Sequence, residues 1–216
     1  MKFQLALDRL TREECFSILK ETASSVDWIE VGTGVIKQYG MTIVKEIKEA
    51  YPNKILVADM KTCDAGKHEA LQAFEAGADI MTVMAFSADK TITDAMGAAQ
   101  ELNKRVMVDL LGVFDPNRIA ELKSLGVDLV SLHYGKDMQL EGEMDNSLLS
   151  LTQGFTDLDV AIAGGINKRS LPALMDKNLT AVIIGSAITK AADPGRTAAE
   201  MREVARRFEN NHPKSS

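Results

Sequence analysis

The 216 residues include 45% hydrophobic side chains, 26% charged ones and two cysteines, material for one sizeable core rather than for a disordered or disulfide-built chain. A formal net charge of -6 argues against the basic face that nucleic-acid binding requires, so any anionic ligand must be held by local groups. Cys15 and Cys63 form no Cys-x-x-Cys pair, no apolar stretch is long enough to span a bilayer, and no basic leader precedes the first strand pattern. The expectation is a cytoplasmic protein with no membrane partner.

In chain order, short apolar or β-branched runs alternate with segments of helical period. Strands are expected at Phe3 to Leu7, Trp28 to Val31, Ile55 to Asp59, Ile80 to Val83, Arg105 to Leu110, Leu129 to His133, Val160 to Ala163 and Ala181 to Ile184. Helices are expected at Arg12 to Ala23, Val35 to Ala50, His68 to Glu75, Ala88 to Leu102, Asn117 to Leu125, Arg169 to Lys177 and Thr197 to Phe208. Eight β/α alternations predict a single-domain (β/α)8 TIM barrel over residues 1–209, followed by a polar tail at 210–216; a doubly wound sheet is the alternative. Ala76-Gly77-Ala78-Asp79 and Leu125-Gly126-Val127-Asp128 repeat one device, a helix closed by glycine before a strand.

In such a barrel, function gathers at the C-terminal strand ends. Asp8, Glu30, Asp59, Lys61, Asp109 and His133 all fall there. Residues two apart in an extended strand share a face, which groups Gln4, Ala6 and Asp8, and likewise Asp59 and Lys61. Inward carboxylates among Ile, Val and Leu need a cation, a lysine or both. Glu30 and Asp59 offer hard oxygen ligands, which favours Mg²⁺, with Mn²⁺ second, over zinc. Lys61 is placed to stabilise an oxyanion. His133 is the histidine suited to proton transfer, while His68 and His212 are expected to be solvated. Cys63 is expected to be a small packing residue, and Lys136 a solvent-facing loop lysine. The glycine turns Gly164-Gly165 after strand seven and Gly185-Ser186 after strand eight occupy the positions where barrels hold phosphate, which predicts a phosphorylated small-molecule ligand.

Over nearly its whole length the chain resembles the 3-hexulose-6-phosphate synthase family, within the group that includes 3-keto-L-gulonate-6-phosphate decarboxylases and orotidine-monophosphate decarboxylases. The resemblance is carried by Gln4-Leu5-Ala6-Leu7-Asp8, Ile29-Glu30-Val31-Gly32-Thr33, Asp59-Met60-Lys61-Thr62-Cys63-Asp64, Val108-Asp109, His133 with Asp137 and Gln139, Ala163-Gly164-Gly165-Ile166 and Gly185-Ser186-Ala187-Ile188. It implies that Glu30 and Asp59 hold Mg²⁺, Lys61 stabilises an enediolate, and His133 serves proton transfer. It further implies that Asp8 binds substrate hydroxyls and that Gly165, Gly185 and Ser186 cradle phosphate, with Gly164 and Asp109 completing the substrate site. Asp64 would reach the neighbouring site of a homodimer. The implied reaction is condensation of D-ribulose 5-phosphate with formaldehyde to D-arabino-3-hexulose 6-phosphate, and its reversal. Asp109, Ala163 and Ser186 favour the synthase over the keto-gulonate decarboxylase, where Glu, Thr and Arg are usual. Tyr134-Gly135-Lys136 after the histidine leans the other way. A non-catalytic phosphosugar-binding protein is the third reading.

Overall fold

The computed structural model describes residues 1–141 and 146–211. Eight parallel strands close into a barrel in sequence order: β1 (Lys2–Leu7), β2 (Trp28–Val31), β3 (Ile55–Thr62), β4 (Ile80–Met84), β5 (Arg105–Asp109), β6 (Leu129–His133), β7 (Asp159–Ala163) and β8 (Ala181–Ile184). The ring shuts where Lys2 to Leu5 pair with Ala181 to Ile184. The helices are α1 (Arg12–Thr22), α2 (Thr33–Tyr39), α3 (Met41–Ala50), α4 (Gly66–Glu75), α5 (Asp89–Glu101), α6 (Pro116–Ser124), α7 (Met138–Glu141), α8 (Asn146–Ser150), α9 (Ser186–Thr189) and α10 (Pro194–Asn211). None is long and apolar enough to cross a membrane, among the described residues.

Strand alternation builds two cores. Phe3, Leu5 and Leu7 point outward to the helices within the large core, whereas Trp28, Val57, Ile80, Met107, Leu129, Ala161, Ala181 and Ile183 fill the barrel interior. Local signals set the helix starts. Thr11 and Glu14 form a reciprocal capping box on α1, and Asp115 caps α6 ahead of Pro116. Gly77 and Gly126, at φ 100° and 91°, turn the chain from α4 and α6 into β4 and β6 at the end opposite the site, as expected.

The departures have physical reasons. The single helix expected over 35–50 is two helices, parted at Gly40 with φ 65° and ψ -159°. The helix expected over 169–177 shrinks to a 3-10 turn at Leu171–Leu174. There the Asn167 side chain captures the backbone N–H groups of Arg169 and Ser170, and Pro172 has no N–H to give. The last helix extends to Asn211, into the segment expected as tail; residues 212–216, His212 included, lie outside the described residues.

Candidate active site

The site begins with an irregularity in β3. The strand runs three residues beyond its expected end, its register against β4 shifts between Ala58 and Thr62, and Lys61 adopts φ 48°. Simple extended parity therefore does not bring Lys61 beside Asp59; the bulge does. A non-glycine residue in the left-handed region is strained by roughly 1 kcal/mol or more and persists where its surroundings hold it. Thr82 on β4 holds it here. Its hydroxyl accepts from Lys61 N at 2.9 Å and donates to Asp59 Oδ1 at 2.8 Å.

The charged groups then converge. Lys61 Nζ lies 2.6 Å from Asp109 Oδ2 and 3.1 Å from Asp59 Oδ1. His133 Nδ1 approaches the same Asp109 Oδ2 at 2.9 Å. Leu111 N donates to the other Asp109 oxygen at 2.9 Å, and Thr33 Oγ1 lies 2.7 Å from Asp59 Oδ2. Burial alone would raise the Asp109 carboxyl, but the hydrogen bond and charge of His133, with Lys61, bring it down to about 2. An ionised Asp109 only accepts, so Nδ1 of His133 is the ring nitrogen that donates to it, and Nε2 is the one the carboxylate does not engage. Burial pulls the Lys61 ammonium down, yet Asp59 and Asp109 outweigh it and the net shift is upward. Glu30 goes the other way. Burial, then repulsion from Asp59, lift it to about 8, against the opposing Lys61 charge and the Gln4 hydrogen bond.

Above this cluster opens a cleft of about 460 Å³. Asp8, Glu30, Asp59, Lys61, Asp109, His133, Gly164, Gly165, Gly185 and Ser186 all line it, so ten predicted site residues from seven strands and their loops meet in one cavity. Gly164 and Gly165 take φ 130° and 64°, and a Cβ on Gly164 would stand 2.6 Å from the Tyr134 carbonyl oxygen, so glycine is required there. Asp64 does not line its own barrel's cleft and is exposed.

The pattern of the orotidine 5'-phosphate decarboxylase / HUMPS family matches residues 1–201. The chain is 39% identical over 206 residues to 3-hexulose-6-phosphate synthase of Bacillus subtilis (strain 168), spanning 94% of this chain and 98% of that protein. It is 40% identical over 204 residues to the synthase of Mycobacterium gastri, with the same coverage. The chain belongs to the orotidine 5'-phosphate decarboxylase / HUMPS family. It is an enzyme, a carbon–carbon lyase. The crystal structure of 3-hexulose-6-phosphate synthase from Salmonella typhimurium superposes with a TM-score of 0.93 at 37% identity, covering 96% of this chain and 100% of that one. KGPDC from Streptococcus mutans, in a ligand complex, superposes at 0.91 with 26% identity, covering 96% and 98%.

Within this family member, other residues corrected or escaped the sequence reading. Cys63 is exposed, with Sγ 3.3 Å from the Lys61 carbonyl oxygen, rather than packed; the β3 extension carries it out onto the rim. Lys136 is exposed as expected but lines the cleft, 3.4 Å from Gln139 Oε1. His68 is exposed, as expected. Thr82, Lys37 and Lys190 also line the cleft, beyond the residues to which the sequence points, as does Thr33 of the Ile29-to-Thr33 motif. Thr82 had a usable signal, since it is polar and shares the inward face of β4 with Ile80. Lys37 and Lys190 had none, because a lysine on a helix or after one reads as solvated.

Proposed function

We propose that the chain is a 3-hexulose-6-phosphate synthase, joining D-ribulose 5-phosphate to formaldehyde and cleaving the product in reverse. The observation that carries this reading is the Lys61 ammonium, held between Asp59 and Asp109 beside His133, whose Nδ1 faces the same Asp109 oxygen. His133 Nε2 takes a proton from C1 of the pentulose phosphate. The electron pair of that C–H bond becomes the enediolate, whose oxygen charge Lys61 meets with an N–H. C1 then attacks the formaldehyde carbon, the carbonyl π pair moves to its oxygen, and that oxygen takes the proton held on His133. Asp8, anchored by Gly34 N at 2.9 Å, accepts from substrate hydroxyls, and Gly164, Gly165, Gly185 and Ser186 receive the phosphate.

The donor set suits Mg²⁺, or Mn²⁺ in second place. Burial first, and then repulsion from Asp59, raise Glu30, and a hard cation beside the two carboxylates would offset both. Among the described residues no group of three or more His, Cys, Asp or Glu is placed to hold a metal ion, so in this reading substrate oxygens would have to complete the coordination begun by Glu30 and Asp59. When bound there, Mg²⁺ supplies Lewis-acid polarisation of the substrate carbonyl. The assembly proposed is a homodimer in which Asp64 enters the neighbouring site.

The test is formaldehyde consumption with D-ribulose 5-phosphate, with Mg²⁺ and with chelator, alongside 3-keto-L-gulonate 6-phosphate. Metal-dependent condensation supports the synthase. Turnover of the keto acid alone favours the decarboxylase and makes Lys136, on the cleft wall, its carboxylate contact; inactivity on both overturns the two catalytic readings.

A further inference from the structure

Beneath the charged cluster lies a polar side chain that the mechanism above does not use. Gln4 shares the inward face of β1 with Ala6 and Asp8 and pairs in register with Trp28 and Ile183. It is 1% exposed, in a barrel interior otherwise filled by apolar side chains that include Trp28, Val57, Met107 and Ile183. Its Oε1 is buried with no hydrogen-bond partner. An orphaned carbonyl oxygen in apolar surroundings costs folding free energy, and Met or Leu at this position would avoid the cost.

Against that cost, among the described residues, the Gln4 side chain makes one hydrogen bond, in which Nε2 donates to Glu30 Oε2. Among the described residues this is the single hydrogen bond the Glu30 carboxylate receives, although Glu30 is itself only 8% exposed. Asp59 has more support, with Thr82, Thr33 and Lys61 all on its two oxygens. Without Gln4, none of the described residues would orient the Glu30 carboxylate by a hydrogen bond.

We infer that Gln4 is a positioning residue: it ties Glu30 Oε2 to the barrel floor and leaves Oε1 as the oxygen offered to a divalent cation and substrate in the cleft. The inference rests on the reading of Glu30 as a cation ligand. Neutral donors behind ligating carboxylates fix their direction, and losing one typically weakens metal binding about 10- to 100-fold.

The test uses the full chain with Mn²⁺ as the probe, its binding followed by electron paramagnetic resonance without substrate. Gln4→Met keeps the length and removes the donor, and Gln4→Leu removes it with a shorter apolar side chain; either suffices if the other folds poorly. The expected result is a Kd for Mn²⁺ raised about 10- to 100-fold, a thermal midpoint close to the parent's, and KM for D-ribulose 5-phosphate at saturating metal nearly unchanged. Unchanged Mn²⁺ affinity with a lowered midpoint would show a purely structural glutamine and overturn the inference alone. A parent protein that binds no Mn²⁺ overturns the cation reading and this inference with it, whereas a parent that binds Mn²⁺ but condenses no formaldehyde removes the synthase reading and leaves Gln4 to be judged by the Kd.

Discussion

Lys61 and Asp109 illustrate how single residues set the chemistry. Lys61 directs two of its three N–H groups to Asp109 and Asp59, which fixes the ammonium at one point of the cleft before substrate arrives. Lys61→Ala is expected to lower kcat by about two to three orders of magnitude, while D-ribulose 5-phosphate still protects the folded protein in thermal melts. Loss of protection together with turnover would mean that Lys61 acts in binding instead. Asp109 has a pH signature. Its carboxyl lies at about 2 in the folded protein against an ordinary 3.8, so its contribution is complete above the higher value and is lost as pH falls from about 4 to about 2. The contribution is about 2 kcal/mol. Asp109→Asn should flatten the stability profile over that window in urea titrations; a slope equal to the parent's would refute the assignment.

At the scale of elements, the two ends of the barrel divide the labour. The β3 bulge, the Gly164-Gly165 turn and the start of α9 sit at the C-terminal mouth. At the opposite end Asp79 joins three elements. It accepts from Lys48 of α3 and Lys104 before β5, both at 2.7 Å, and from Leu56 N of β3 at 2.9 Å. Burial would raise its carboxyl, but Lys104, Lys48 and Leu56 N together hold it below the ordinary range. Asp79→Ala strands two half-buried ammonium groups and should cost roughly 1 to 3 kcal/mol by denaturant unfolding. At a temperature where the variant remains folded, kcat should equal the parent's, and a large fall in kcat would show coupling between the two ends.

For the whole molecule, the rim after β3 to β6 carries exposed large apolar side chains. Asp64 is exposed there, and Phe86, Phe114 and Leu140 on the following loops and α7 are 61%, 59% and 81% exposed. Exposed apolar side chains on the rim that carries Asp64 fit the proposed subunit contact next to the active site. Inactive Asp64→Ala and Lys61→Ala chains, mixed and allowed to exchange, should regain activity, because one hybrid site then holds both native residues. Absence of recovery after proven subunit exchange would place Asp64 outside the neighbouring site.

The sequence by itself determined the eight-fold β/α alternation, the glycine-closed turns at Gly77 and Gly126, and the set of polar residues at the strand ends. These signals are local: hydrophobic period, turn chemistry and position in a strand are all written within a few residues of one another. The tertiary structure alone decided that Lys61 reaches Asp109 from 48 residues away, that a left-handed Lys61 rather than an extended one brings the pair together, and that Thr82 and Gln4 stand behind the two acids. Those contacts depend on barrel closure and on the register between strands, and long-range register leaves no mark in the spacing of either strand.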